Sequence, residues 1–384
     1  MARTVLFLLI AAMAGSCGVQ GSPALTPGPT ATPSDEAPSP SPGSPGPTDA
    51  GAVVKLVLDL ALRRDDVELT AVAAFEGGFV VGGCVLFPPE RATEGPCERA
   101  LILASPDGMS WREVALPGAA ERRIVGLAET SLGLLAFGRT QESEPPMERA
   151  MWRSRDGASW EPFVMEAPSS VVFEMAASLG DRTVLIGSDS AYDFAVQTEA
   201  WVTVDGRAWT AGTTPLSPKL VAHPGLVAVG DECVDLCPPD ARPRVFRSSD
   251  GLTWIEDELP TEMARIEVTG LADHAGRAIV AGVAPEAGSH ETSVWFDEPA
   301  GWRGTVLGET REYPTVTIMR AAGGLIVIAD DASPGPAMAW WSADGGSWVP
   351  AQLQGIGEGS ITDSASGDTG IVIVDFTSIW AYGA

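Results

Sequence analysis

Ser154-Arg155-Asp156-Gly157-Ala158-Ser159-Trp160 is the stretch on which the reading of this chain turns, because it recurs. Ser105-Pro-Asp107-Gly108-Met-Ser-Trp111, Thr203-Val-Asp205-Gly206-Arg-Ala-Trp209, Ser248-Ser-Asp250-Gly251-Leu-Thr-Trp254 and Ser342-Ala-Asp344-Gly345-Gly-Ser-Trp348 have the same form. An eroded sixth copy keeps Glu298-Pro299 and Trp302 in register. With Trp302 included, the tryptophans fall 49, 49, 45, 48 and 46 residues apart. That spacing fits propeller blades and some helical repeats, so the local pattern has to choose between them.

The pattern chooses strands. Upstream of each Asp-Gly lies a short apolar run ending in glycine: Gly78-Phe-Val-Val-Gly82, Leu134-Leu-Ala-Phe-Gly138, Val184-Leu-Ile-Gly187, Leu226-Val-Ala-Val-Gly230 and Ala278-Ile-Val-Ala-Gly282. Such runs are too short for helices and are bounded by turn residues. Asp-Gly between two of them is a hairpin signal, since glycine adopts positive φ at little cost and the aspartate carboxylate bonds nearby backbone N–H groups.

Each repeat then supplies four strands, the last one starting at the tryptophan. This resembles the Asp-box, or BNR-repeat, β-propellers of the sialidase-like superfamily, whose motif is Ser-x-Asp-x-Gly-x-Thr-Trp. The likeness covers roughly residues 51–384, and here aspartate and glycine are adjacent, so each copy is one residue shorter. The resemblance implies that the aspartates, glycines and tryptophans of the motif are structural, on a turn away from the ligand-binding face. Six full repeats are expected over 70–117, 124–166, 171–214, 218–260, 266–307 and 315–353. Three strand-like pieces remain after 360, and Val53-Val-Lys-Leu-Val-Leu-Asp-Leu60 precedes the first repeat. Three plus one predicts an all-β, seven-bladed propeller of four-stranded blades, with an N-terminal strand closing the last blade; eight blades is the alternative.

The chain outside the repeats reads differently. Arg3, the apolar run Val5 to Met13 and the small residues Ala14-Gly15-Ser16 have the form of an export signal over 1–16. Ala14-Gly-Ser-Cys17 resembles the bacterial lipoprotein box, which implies lipidation of Cys17 and tethering to the outer face of a cell membrane, with plain secretion as the alternative. Residues 21–50 hold nine prolines and no aromatic residue. Such a segment cannot bury enough apolar surface to offset chain entropy, so 17–50 is expected to be an anchor and extended spacer.

Composition narrows the functions. Of the 384 residues, 45% are hydrophobic and 20% charged, and 51 acids against 24 bases give a net charge of −27. Only two of the bases, Lys55 and Lys219, are lysines. A field of this sign repels phosphate, so nucleic acid is not an expected partner. The four cysteines beyond Cys17 form two close pairs, Cys84 with Cys97 and Cys233 with Cys237. An even count in an exported chain points to disulfides. Zinc is the alternative, weakened because the pairs fall in different repeats and His223, His274 and His290 lack ligand spacing.

Both pairs sit in loops between second and third strands, which in propellers open onto the usual ligand face. Across six such loops 17 acids face 6 arginines. Glu142, Glu144, Asp235 and Asp240 are the candidate binding residues there, for an envelope protein or a glycan. A glycoside hydrolase of sialidase type is the alternative. That family needs three arginines, a Tyr-Glu pair, an Asp acid/base and an Arg-Ile-Pro motif; here Arg123-Ile124 is followed by Val125, and Tyr192, Tyr313 and Tyr382 lie in no matching context. No Gly-x-Ser-x-Gly elbow, HExxH helix or phosphate loop occurs. The expectation is a monomeric, surface-tethered binding or scaffolding propeller, without catalytic residues, metal or cofactor.

Overall fold

Runs such as Gly78–Leu86 and 324–329 are apolar throughout rather than alternating, and almost every residue in them is buried. A strand reads this way when both of its faces are covered. That is the environment of a blade interior packed between two other blades. The computed structural model describes residues 54–88, 97–140, 148–168, 171–189, 198–214, 219–223, 225–231, 243–263, 266–286, 289–310, 314–321, 323–330, 337–356 and 361–383. Cys17, Glu142, Glu144, Cys233, Asp235, Cys237 and Asp240 lie outside them, as do the expected signal and spacer.

The described strands form seven sheets. Blade 1 runs from inner to outer strand as β3 (Val67–Phe75), β4 (Gly78–Leu86), β5 (Cys97–Ser105) and β6 (Arg112–Val114). Blade 2 is β7 (Arg122–Thr130), β8 (Gly133–Thr140), β9 (Arg149–Ser154) and β10 (Glu161–Pro162). Blade 3 is β11 (Val171–Leu179), β12 (Arg182–Asp189), β13 (Thr198–Thr203) and β14 (Thr210–Thr213). Blade 4 is β15 (Lys219–His223), β16 (Gly225–Asp231), β17 (Pro243–Ser248) and β18 (Ile255–Glu256). Blade 5 is β19 (Glu267–His274), β20 (Arg277–Glu286), β21 (Ser289–Glu298) and β22 (Gly301–Thr310). Blade 6 is β23 (Thr315–Ala321), β24 (Gly324–Asp330), β25 (Met338–Ser342) and β26 (Val349–Gln354). Blade 7 has only β27 (Asp363–Gly367), β28 (Gly370–Val374) and β29 (Ser378–Gly383) from its own end of the chain. The fold is a seven-bladed β-propeller.

The N-terminal run closes the ring as expected, with one refinement. It divides at Leu58 into β1 (Val54–Val57), which lies parallel to β26 as a fifth strand of blade 6, and β2 (Asp59–Arg63), which pairs antiparallel with β29. Leu58 itself is buried and donates its N–H to the Gln354 carbonyl at 2.7 Å. One extended segment thus bridges two blades.

Hydrophobic clusters occupy the seams between consecutive blades. The seam from blade 7 to blade 1 packs Val372, Ile379 and Ala381 on Val67, Leu69 and Phe79, so the ring is closed by core as well as by strand pairing. The seam between blades 6 and 7 takes in Leu56 and Leu58 from the N-terminal run.

The glycines that end the apolar runs, and that lie within the second strands, have a structural cause. Opposite Gly82, Gly138, Gly187 and Gly282 the inner strands β3, β7, β11 and β19 slip register by one residue, at positions 70, 125, 174 and 269. A Cβ on Gly282 would stand 2.4 Å from the Glu267 carbonyl oxygen, and one on Gly187 2.5 Å from that of Val172. At Gly138, Gly187 and Gly282 the bulge brings the inner strand so close that only glycine fits, whereas Gly82 makes room for Ile124 of the next blade. Blade 6 has Ala329 at the equivalent place, and its inner strand has no slip.

Candidate functional site

Antiparallel order within each blade fixes two faces. Turns from first to second and from third to fourth strands share one face; loops from second to third strand and links from blade to blade share the other. The Asp-Gly turns lie on the first face; the candidate acids fall outside the described residues, between strands whose adjoining ends lie at the second.

At each Asp-Gly turn the carboxylate is held by the backbone it organises. Asp156 Oδ1 accepts the Ala158 and Ser159 N–H groups at 2.9 and 2.8 Å and the Ser154 hydroxyl at 3.1 Å. Asp107, Asp205, Asp250 and Asp344 accept the corresponding pairs of amides at 2.7–3.1 Å. These amides hold all five carboxyls below the usual carboxylate range. Gly108, Gly157, Gly206, Gly251 and Gly345 have φ between 66° and 80°. The missing side chain lets the turn enter the seam: a Cβ on Gly251 would stand 2.7 Å from Val184 and 2.9 Å from Val202 of the preceding blade. Trp111, Trp160 and Trp348 donate their indole N–H to the turn glycine carbonyl at 2.7, 3.1 and 3.0 Å. Trp209 and Trp254 pack against the seams of blades 2–3 and 3–4 without that bond. A carboxylate so committed to its own turn has little capacity for a ligand.

Blade 5 carries the eroded copy and has a different arrangement. Its tight turn at 299–300 joins two ten-residue strands, and the Trp302 indole donates to Asp257 Oδ2 of the neighbouring segment at 3.2 Å. Arg247 reaches Asp257 at 2.7 Å and Asp297 at 3.0 Å, with its guanidinium 5.7 Å from the Trp302 ring centroid.

On the opposite face the starting ends of the inner strands enclose a depression of about 480 Å³. Its lining comes from β11, β19 and β23 and from the start of blade 7, so it spans the ring axis. Hydroxyls of Thr269, Thr315, Thr317, Thr362 and Ser364 and carboxyls of Glu267 and Asp363 alternate there with Met175, Leu271 and Ile361. Thr269 is the bulged residue of β19. Asp363 also ties the closing seam, accepting the Val72 N–H at 2.8 Å and the Ser364 N–H at 2.7 Å. Among the described residues the lining contains no arginine, lysine, histidine or tyrosine.

The sequence had not singled these lining residues out. The signal that could have found them is the glycine ending the apolar run of a second strand, which marks a bulge on the neighbouring inner strand. Arg123 pairs with Glu68 of blade 1 at 3.5 Å, and Tyr382 lines a separate depression with Arg320 and Asp368. Tyr192 and Tyr313 lie outside the described residues.

Rim arginines serve the scaffold. Arg149 donates to the carbonyls of Pro168, Ala167 and Met165 at 2.7, 2.8 and 3.1 Å, and burial pushes its guanidinium below the ordinary value. Arg99 pairs with Glu113 at 2.7 Å, and Arg244 with Glu256. The rim acids Glu98 and Glu148 are exposed. Cys84 and Cys97 form a disulfide with their Cα atoms 5.7 Å apart. Glu68 lies near both sulfurs, but joined sulfurs offer no thiolate to a metal.

No protein-family model and no curated protein matches the sequence. Solved structures do. YCF48 bound to D1 peptide is 15% identical, with 87% of this chain and 98% of that chain covered at a TM-score of 0.54. A polysaccharide lyase of family PL25, an ulvan lyase bound to -[GlcA(1-4)Rha3S]-, is 12% identical over 86% and 94% at 0.51. The β-propeller domain of the Trilobed protease from Pyrococcus furiosus, with an open velcro topology, is 10% identical over 83% and 96% at 0.50. At these identities the likeness is one of fold.

Proposed function

We propose that this chain is a non-catalytic binding or scaffolding propeller, lipid-anchored at Cys17 on the outer face of a bacterial cell membrane and holding its ligand over the axial depression. The observation that carries this reading is the lining of that depression, hydroxyls and carboxyls without a cation among the described residues. Hydroxyls and carboxylates accept hydrogen bonds from a glycan or from a basic protein segment, and they disfavour an anionic ligand. Glu142, Glu144, Asp235 and Asp240 would extend the same potential over the surrounding loops. We group the chain with the Asp-box propellers of the sialidase-like superfamily on its five Asp-Gly turns. Among propellers of this fold, one neighbour is bound to a peptide and another to a saccharide, so either ligand class suits the architecture.

Val54 starts β1 beside the early part of β26, on the face of the Asp-Gly turns. The test combines glycan arrays and envelope-extract capture with the purified protein. Thr315→Trp, which fills the depression, should abolish retention of the captured ligand, and neutralising Glu142, Glu144, Asp235 and Asp240 together should remove its salt dependence. Unchanged binding in both variants rejects the assigned face. Turnover of a fluorogenic sialoside replaces the reading with a glycoside hydrolase. Cys17→Ser should release the chain from membranes; continued membrane retention rejects the anchor.

A further inference from the structure

Blade 5 departs from its neighbours at its outer edge as well as at its turn. The outer strands β6, β10, β14 and β18 span three, two, four and two residues, and the outer strand of blade 6 is covered by β1. β22 spans ten, and its far side pairs with no other strand among the described residues. A bare strand edge presents a row of backbone donors and acceptors to any extended chain. Blade 4 covers Trp295 and Trp302, but with β18 so short Gly304 and Val306 of β22 stay exposed on the same side.

A groove of about 490 Å³ opens there. Its wall follows the pleat: Glu291, Ser293 and Trp295 alternate along one face of β21, and Gly304 and Val306 continue that face on β22. The Trp295 ring lies where a Cβ on Gly304 would stand 2.6 Å away, and Val306 is 55% exposed. The groove is therefore apolar at its Trp295 end and acidic at its Glu291 end, with Glu262 alongside and no cation among the described lining residues.

We propose that the outer edge of blade 5 docks an extended peptide as a fifth strand on β22. Every second side chain of that peptide faces the groove, one apolar against Trp295 and Val306 and the next basic, against Glu291 and Glu262. The same molecule carries such an addition one blade away, where Val54-Lys-Leu-Val57 runs along β26. Backbone bonding supplies affinity in this mode and the alternate side chains supply selectivity. This surface is separate from the axial depression.

The probe is a fluorescent peptide of repeating Leu-Thr-Lys-Thr, as long as β22, titrated onto the full chain by anisotropy, with Leu-Thr-Glu-Thr as the control. Binding of the lysine peptide is expected, with slowed amide hydrogen exchange over 301–310. Glu262→Gln with Glu291→Gln, and separately Val306→Ser, should each weaken it roughly tenfold at unchanged unfolding midpoint. Absence of binding, equal binding of the glutamate peptide, unchanged affinity in the variants, or protection lying elsewhere overturns the proposal. So does a concentration-dependent dimer that protects β22 without peptide, which would assign the edge to a second copy.

Discussion

Blade 5 and the five blades closed by Asp-Gly turns meet the same requirement, holding an outer hairpin against the preceding blade, by different physics. In the five, a glycine without Cβ enters the seam and the aspartate satisfies the turn locally. In blade 5 the tryptophan persists, but it is secured from outside its own hairpin by Asp257 and Arg247, the latter also pairing with Asp297 of β21. The first device is steric and local; the second is ionic and spans two blades. The tryptophan is thus the part of the motif that the seam requires, and the Asp-Gly pair is one of two ways to position it.

The largest effect should come from giving the turn glycines a side chain. Gly251→Ala pays for a left-handed alanine, roughly 1–3 kcal/mol, and also for a Cβ pressed into Val184 and Val202, roughly 1–3 kcal/mol more. Gly276, at φ 73° in blade 5, has nothing within 4 Å of its Cβ position, so Gly276→Ala should cost the backbone part alone. Denaturant unfolding of the two variants measures the difference, and equal losses would break the steric account. Arg247→Met should cost about 1–2 kcal/mol by leaving two partly exposed carboxylates facing each other. That loss should shrink with added salt, which the turn-glycine losses should not.

The smallest effect concerns pH. The turn aspartates have lowered carboxyl pKa values in the folded state, so their stabilisation is complete above the ordinary carboxylate range, near ~3.9. It is lost as pH falls through and below that range. Asparagine keeps the acceptor and removes the titration, so Asp156→Asn, Asp250→Asn and Asp344→Asn together should flatten the fall of the thermal midpoint between pH 5 and 2. A fall as steep as that of the parent would show that other carboxyls govern acid unfolding.

Much of the ring was legible because its signals are local. Asp-Gly turns and buried strands repeat at blade spacing, and the expected limits 171–214 and 315–353 differ by a residue from the observed 171–213 and 315–354. The division of the N-terminal run was not legible: Val53 to Leu60 is continuously strand-like, and a fifth strand has no counterpart in the other repeats. The axial depression was hidden for another reason. Its residues are ordinary threonines and single acids that acquire meaning only when inner strands of four blades converge. The candidate acids Glu142, Glu144, Asp235 and Asp240 mark loops by charge alone, which specifies a potential but no geometry.

The N-terminal segment also has a mechanical consequence. From Val54 to Arg63 it runs in one direction, first along β26 and then along β29. Tension applied at Val54 is therefore carried by the backbone bonds of β1, by Leu56 and by the Leu58 amide before any of it reaches β2. The strand that completes blade 7 is shielded by a sacrificial one, so a pull on the chain can peel β1 while the ring stays shut.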